Sequence, residues 1–146
     1  MRCVVYISHE TRPLKKADIL DILRVSRVKN TVRRLTGVLL YYDGIFLQVL
    51  EGEGPVIEEM LALLRRDRRH TEIRILLDEP VAERYFPDWS MAFADLADLP
   101  PDDRWLCRHL DRPLAELHSG ELADRIRRLV GSFQVMVRQT HAAAAP

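Results

Sequence analysis

Apolar and polar positions alternate along this chain with two different periods, and the changes of period mark the elements. Between residues 35 and 52 the run LTGVLLYYDGIFLQVLEG is almost wholly apolar, interrupted at its centre by Asp43-Gly44. Asp-Gly between apolar runs predicts a tight hairpin, because the centre of such a turn needs positive φ. Strands are therefore predicted over 35–42 and 45–51. Residues 2–8 are a further β-branched run, with Val4, Tyr6 and Ser8 on one face and Cys3, Val5 and Ile7 on the other. Spacing by three and four takes over at 15–28, a predicted helix with Ile19, Leu20, Leu23 and Ser26 near one side. It ends near Lys29-Asn30, where Asn30 suits a C-cap because Asn tolerates the left-handed conformation.

After the hairpin, Gly52-Glu53-Gly54-Pro55 opens a second helix with Ile57, Met60, Leu61 and Leu64 as its stripe. Pro55 suits the first turn, Glu58 and Glu59 the positive end, and Arg65-Arg66 the negative end. Residues 67–71 are a charged turn, 72–78 a strand, ERYFPDW a connection and 89–94 a short last strand. In that strand Trp89, Met91 and Phe93 share a face. The order is β-α-β-β-α-β with one more strand, an α+β, ferredoxin-like split βαβ sheet with two helices on one face. The other face, bearing Cys3, Val5, Ile7, Leu47 and Val49, is apolar and must be covered. A helix over 121–138, striped by Leu122, Ile126, Leu129, Phe133 and Val137, is expected to cover it or to form a dimer contact, with the tail HAAAAP fraying. The expected division is a sensing or binding unit over 1–95 and a linker with helical extension over 96–146.

Composition narrows the function. At 146 residues and 47% hydrophobic, the chain suits one domain with a proper core. Twenty-two basic residues balance 22 acidic ones, which argues against nucleic acid as a partner. Cys3 and Cys107 lie far apart and fit no metal spacing, and His9, His70, His109, His118 and His141 form no spaced ligand set, so no metal is expected. The N-terminus runs straight into a strand rather than an apolar leader, and no run approaches the ~18 residues of a membrane span. A cytoplasmic protein without membrane attachment is expected.

One position resists the apolar pattern. Gln48 sits mid-strand between Phe46-Leu47 and Val49-Leu50. An unpaired buried amide costs about 1–3 kcal/mol, so Gln48 needs a partner or a polar cleft. Strand parity allows Tyr6, Ser8, Gln48, Trp89 and Met91 to share the face beneath the helices, with Asn30 nearby at a helix end. Such a group is either an internal network with water or the edge of a site for a planar ligand with polar edges.

These residues resemble the BLUF domains, blue-light sensors using flavin, over roughly residues 2–93. The matching pieces are VVYIS at 4–8, N-x4-LTG from Asn30 to Gly37, LLYYDGIFLQVLEG at 39–52, RDRRH at 66–70 and EPVAERYFPDWSM at 79–91. Leu35 stands where Ile is usual, and nothing after about residue 95 resembles an output domain. The resemblance implies noncovalent FAD between the two helices. It implies that Tyr6 donates an electron and a proton, with Gln48 bridging Tyr6 and the flavin edge. Asn30 would meet the ring's carbonyl and imide edge, Asp67, Arg69 and His70 the ribityl and phosphate end, while Ser8, Trp89 and Met91 surround Gln48, the latter two as signal relay. Read without the resemblance, Trp89 and Met91 are core packing and 67–70 a charged turn. The implied protein turns over no substrate; it passes a conformational signal to an unidentified downstream partner or within a homo-oligomer. An RNA-binding module shares the β-α-β-β-α-β order, but IFLQVLEG lacks the basic-Gly-aromatic pattern whose rings stack on bases. A small hydrolase would need a nucleophile–base pair, and none is visible.

Overall fold

The computed structural model describes residues 1–88, 90–95 and 120–144. Its elements are β1 (Arg2–Glu10), α1 (Lys16–Arg33), β2 (Thr36–Tyr42), β3 (Ile45–Gly52), α2 (Gly54–Arg66), β4 (His70–Pro80), β5 (Ala92–Asp95) and α3 (Glu121–Ala144). The sheet order is β4-β1-β3-β2-β5. The first four strands pair antiparallel in the ferredoxin-like arrangement, and β5 joins β2 in parallel. At the β2–β3 turn Asp43 and Gly44 take φ of 44° and 81°, both positive, as the tight hairpin requires.

Parity sorts the core into two layers. Under α1 and α2 lie Val4, Tyr6, Leu39, Tyr41, Phe46, Leu50 and Met91, with Ile19, Leu23, Ile57 and Leu61 from the helices. On the reverse face Cys3, Val5, Val38, Leu40, Leu47 and Val49 meet Ala123, Ile126, Val130 and Phe133 of α3. Leu122 and Leu129 flank that contact, and Arg125 pairs with Glu79 of β4 at 2.8 Å. Covering this face removes an apolar surface that would otherwise be exposed to water.

Several details differ from the sequence expectations. Helix α1 runs to Arg33 and is closed by Arg34 at φ 54°, so Asn30 lies inside the last turns and is not the cap. The Asn30 amide has a tertiary partner instead, described below. Leu20 is exposed and Ile22 takes its place in the core, because residue 20 sits about 100° around the helix from residue 19. Glu58 and Glu59 fall beyond the first turn of α2, which is not acidic; they pair with Arg2 and Arg33. Strand β5 begins at Ala92 rather than at residue 89, and Trp89 lies outside the described residues. Helix α3 continues through Ala144 instead of ending at 138. Among the described residues no helix is long and apolar enough to cross a membrane.

The ERYFPDW stretch is more than a connection. Glu51, on the α3-side face of β3, is fully buried, and its carboxylate accepts the Tyr85 N–H at 2.7 Å and the Phe86 N–H at 2.9 Å. Thr36 adds a hydroxyl at 3.2 Å. The Arg84 guanidinium crosses to Thr36 Oγ1 and to the Glu51 carbonyl, each at 2.9 Å. Desolvation pushes the Glu51 pKa up, against the lowering effect of those donors. This polar cluster anchors the start of the segment that returns to β5.

Candidate functional site

Tyr6 and Gln48 are directly opposite each other on neighbouring strands β1 and β3. The register puts their side chains together on the helix-side face, within the Cβ spacing of a cross-strand pair. The Tyr6 hydroxyl donates to Gln48 Oε1. Gln48 Nε2 in turn donates to Met91 Sδ at 3.4 Å. Tyr6 is buried, and desolvation raises its pKa well above the ordinary phenol value, so the proton stays on Oη. The amide that seemed out of place in a strand is satisfied at both ends.

Next to this triad a cavity of about 300 Å³ opens between α1 and α2. Gln48 and Asn30 form a polar edge, Ile22, Val25, Leu50 and Leu64 form apolar walls, and Lys29, Arg66 and Arg69 bring positive charge. Asn30 is 2% exposed, and its Nδ2 donates to the Ser90 carbonyl at 2.8 Å. Its Oδ1 has no partner among the described residues. Arg69 is held by Asp67, with Nη2–Oδ2 at 2.6 Å, and that hydrogen bond lowers the Asp67 pKa. Lys29 and Arg66 carry no ion pair among the described residues.

The sequence-predicted residues thus separate into three groups. Gln48, Asn30, Asp67 and Arg69 line the cavity. Tyr6 and Met91 stand behind Gln48 and reach the cavity through it. Ser8 was expected beside Gln48, but its hydroxyl meets His70 Nδ1 at 3.2 Å, because the register places Ser8 opposite Phe46 rather than Gln48. Lys29, Arg66 and Met60 also line the cavity; the sequence marked them only as helix-end and stripe residues, not as site residues. For Lys29 the available sign was its spacing, four residues after Val25 and three after Ser26, which puts the three on one side of α1.

His70 packs against Phe46, ring centroids 4.9 Å apart. Desolvation lowers its pKa below 6.5; Asp67 acts in the opposite direction and Arg69 with it. A histidine whose folded pKa is depressed adds stability above its unfolded value, and that stability is lost as pH falls through the folded one. Acidification from about pH 7.5 to about pH 5 is therefore expected to lower the urea midpoint more in the wild type than in His70→Gln. Parallel pH dependences for the two proteins would show that the ring is not desolvated as described.

The fold and site define an α+β module with a ligand cleft between two helices and a buried hydrogen-bond relay behind it. Residues 1–92 match the family described as "BLUF: Sensors of blue-light using FAD". The photoactivated adenylate cyclase subunit beta of Euglena gracilis is 34% identical over 102 residues, covering 67% of this chain and 12% of that protein. BlrB, described as a BLUF protein in its dark state, superposes with a TM-score of 0.64 at 35% identity, over 78% of this chain and 94% of BlrB. Klebsiella pneumoniae BlrP1, solved with FMN and cyclic diGMP, gives 0.74 at 26% identity, over 90% of this chain and 34% of BlrP1. The chain belongs to the BLUF family, blue-light sensors that use FAD. It spans about an eighth of the length of the cyclase relatives it matches, at 12% of the subunit beta protein.

The cleft suits a flavin on its own chemistry. Its apolar walls match a planar aromatic ring, and the free Asn30 Oδ1 is an acceptor for an imide N–H. Gln48 offers both an acceptor and a donor at the same edge. The three cations at the cleft match a phosphate-bearing tail.

Proposed function

We propose that this chain converts blue light into a change of hydrogen bonding centred on Tyr6 and Gln48, and delivers that change through the 90–95 segment. The observation that carries the reading is the buried chain Tyr6 Oη to Gln48 Oε1 and Gln48 Nε2 to Met91 Sδ, with Gln48 itself on the cleft wall. Bound FAD supplies the absorption of blue light and, once excited, an oxidant strong enough to draw on a phenol. Tyr6 holds the proton at Oη and can move it along the hydrogen bond to Gln48 Oε1, then take it back. Gln48 is the element with two stable arrangements, because an amide has one donor end and one acceptor end. Exchange of those ends turns a donor toward the Tyr6 oxygen and an acceptor toward Met91 Sδ. The sulfur then faces a group with no proton to share, and the dark contact is lost.

Asn30 positions the ring through Oδ1 while Nδ2 keeps hold of Ser90. Asp67 orients Arg69, and both take the ribityl and phosphate end, with His70 and Ser8 closing the floor beside Phe46. Trp89 and Met91 relay the change. Residues 1–95 are the sensing unit, and α3, seated on the reverse face of the same strands, belongs to the output side. The chain acts in the cytoplasm as a sensor rather than a catalyst, signalling to a protein partner or within a homo-oligomer. The change can bias the output side only as far as the two arrangements of Gln48 interact differently with its two states.

Purified chain loaded with FAD is expected to be yellow, to shift its flavin band to longer wavelength under blue light and to recover in darkness. Hydrogen exchange compared in light and dark is expected to change protection in 92–95 and in 121–133. A spectrum unmoved by light would end the photochemical reading. A normal shift with unchanged exchange in 121–133 would remove α3 from the output side.

A further inference from the structure

The segment leading into β5 is fastened to α1 at two successive carbonyls. Asn30 Nδ2 donates to Ser90 O at 2.8 Å, and Arg27 Nε donates to Met91 O at 3.1 Å. Arg27 and Asn30 are three residues apart, so they sit one above the other on the same face of the helix. Immediately beyond them the pairing of β5 with β2 begins, at Ala92 opposite Val38. The Met91 side chain is buried and holds the other end of the Gln48 amide. Met91 is therefore gripped twice, by Gln48 at its sulfur and by Arg27 at its carbonyl.

The two fastenings are not equivalent. Asn30 lines the cleft, so any change there disturbs the ligand. Arg27 does not line it, is otherwise exposed, and has Met91 O as its hydrogen-bond partner among the described residues. Its bond is charge-assisted, the stronger kind, and it is made to backbone rather than to a side chain that could swing away. We infer that Arg27 is a positioning residue: it latches Met91 in the arrangement that lets Gln48 Nε2 reach Sδ, and so governs how fast the lit state returns to the dark one. The latch favours the dark arrangement, and it re-forms as Met91 comes back. Without it the return is slower, while cleft and flavin are untouched. This inference rests on the photochemical reading above for its kinetics, but not for the fastening itself.

The test uses the full chain with FAD, in wild type, Arg27→Ala and Arg27→Lys. Arg27→Ala is expected to bind FAD and to show the full red shift, with dark recovery slowed roughly threefold to tenfold, the range one hydrogen bond supports. Methionine labelled with ¹³C at the carbonyl supplies the readout that simple loosening would not move. The band of residue 91, assigned by its loss in Met91→Leu, should move to higher wavenumber in dark-state Arg27→Ala and return part of the way in Arg27→Lys. Unchanged recovery overturns the latch. Slower recovery with an unmoved Met91 band also overturns it, since Arg27 would then act elsewhere. Should Arg27→Ala fail to take up FAD, Arg27→Lys and amide exchange of 92–95 in the flavin-free chain carry the test; exchange no faster than wild type in flavin-free Arg27→Ala refutes the fastening. If wild type itself shows no red shift, the photochemical reading has failed, and the exchange comparison still decides the fastening.

Discussion

Tyr6→Phe is expected to leave the chain yellow and its spectrum unmoved by blue light. The substitution removes one oxygen and keeps the ring, which is 1% exposed and packed among Val4, Leu23 and Phe46. The cleft wall is formed by Gln48 rather than by Tyr6, so FAD should still bind. What disappears is the proton on Oη and the donor to Gln48 Oε1. Leaving that oxygen without a donor costs about 1–3 kcal/mol of stability, a loss a folded domain tolerates. Gln48→Ala should reach the same spectroscopic result by another route, since it deletes the group whose ends exchange. It should also weaken FAD binding, because it alters the cleft edge. Absorption spectra before, during and after blue illumination decide the matter. A normal reversible shift in Tyr6→Phe would refute the assignment of Tyr6 as donor, and one in Gln48→Ala would refute the amide as the switching element.

Strand parity made the centre of this site legible from residues alone. Side chains alternate with a period of two, so once Tyr6 and Gln48 are assigned to the helix-side face, a one-residue slip would bury the wrong set. That constraint puts Tyr6 and Gln48 on one face, and the register of β1 on β3 then sets them directly opposite each other. Helix details were less legible, because the end of a helix depends on tertiary partners. Asn30 suits a cap locally, but Ser90 O, 60 residues away, offers its amide a better place inside the helix. Ser8 shares a face with Gln48, yet parity says nothing of how far along that face two residues lie, and His70 is its neighbour. The Arg27 contact had no sequence sign, since an arginine on an exposed helix side ordinarily reads as solvated. Glu51 was equally silent. A carboxylate at a strand end looks exposed until the two backbone N–H groups of Tyr85 and Phe86 arrive from far along the chain.

The short motifs on either side of the hairpin have a structural explanation that predicts the second large effect. Gly37 of the Leu-Thr-Gly piece pairs with Leu50 across β2 and β3. A Cβ there would stand 1.8 Å from the Val49 carbonyl oxygen and 2.8 Å from its carbon, at a φ of +154°. Those atoms are backbone of the central strand and cannot rotate aside as a side chain would. To admit the methyl, β2 must move off β3, which also parts Thr36 from Glu51 and takes Arg84 from its acceptors. Gly37→Ala is therefore expected to cost more than about 4 kcal/mol, close to the whole stability of a small domain. Gly131→Ala is the internal control, because a Cβ added in α3 meets nothing within 4 Å. There the same substitution should stabilise by roughly 0.5–1 kcal/mol, through helix propensity alone. Urea unfolding followed by circular dichroism separates the two outcomes. If Gly37→Ala unfolds within about 1 kcal/mol of wild type, an ordinary surface-sized effect, the strands are not as close as described. The placement of Gln48, one residue from the point of contact, would then have to be redrawn with them.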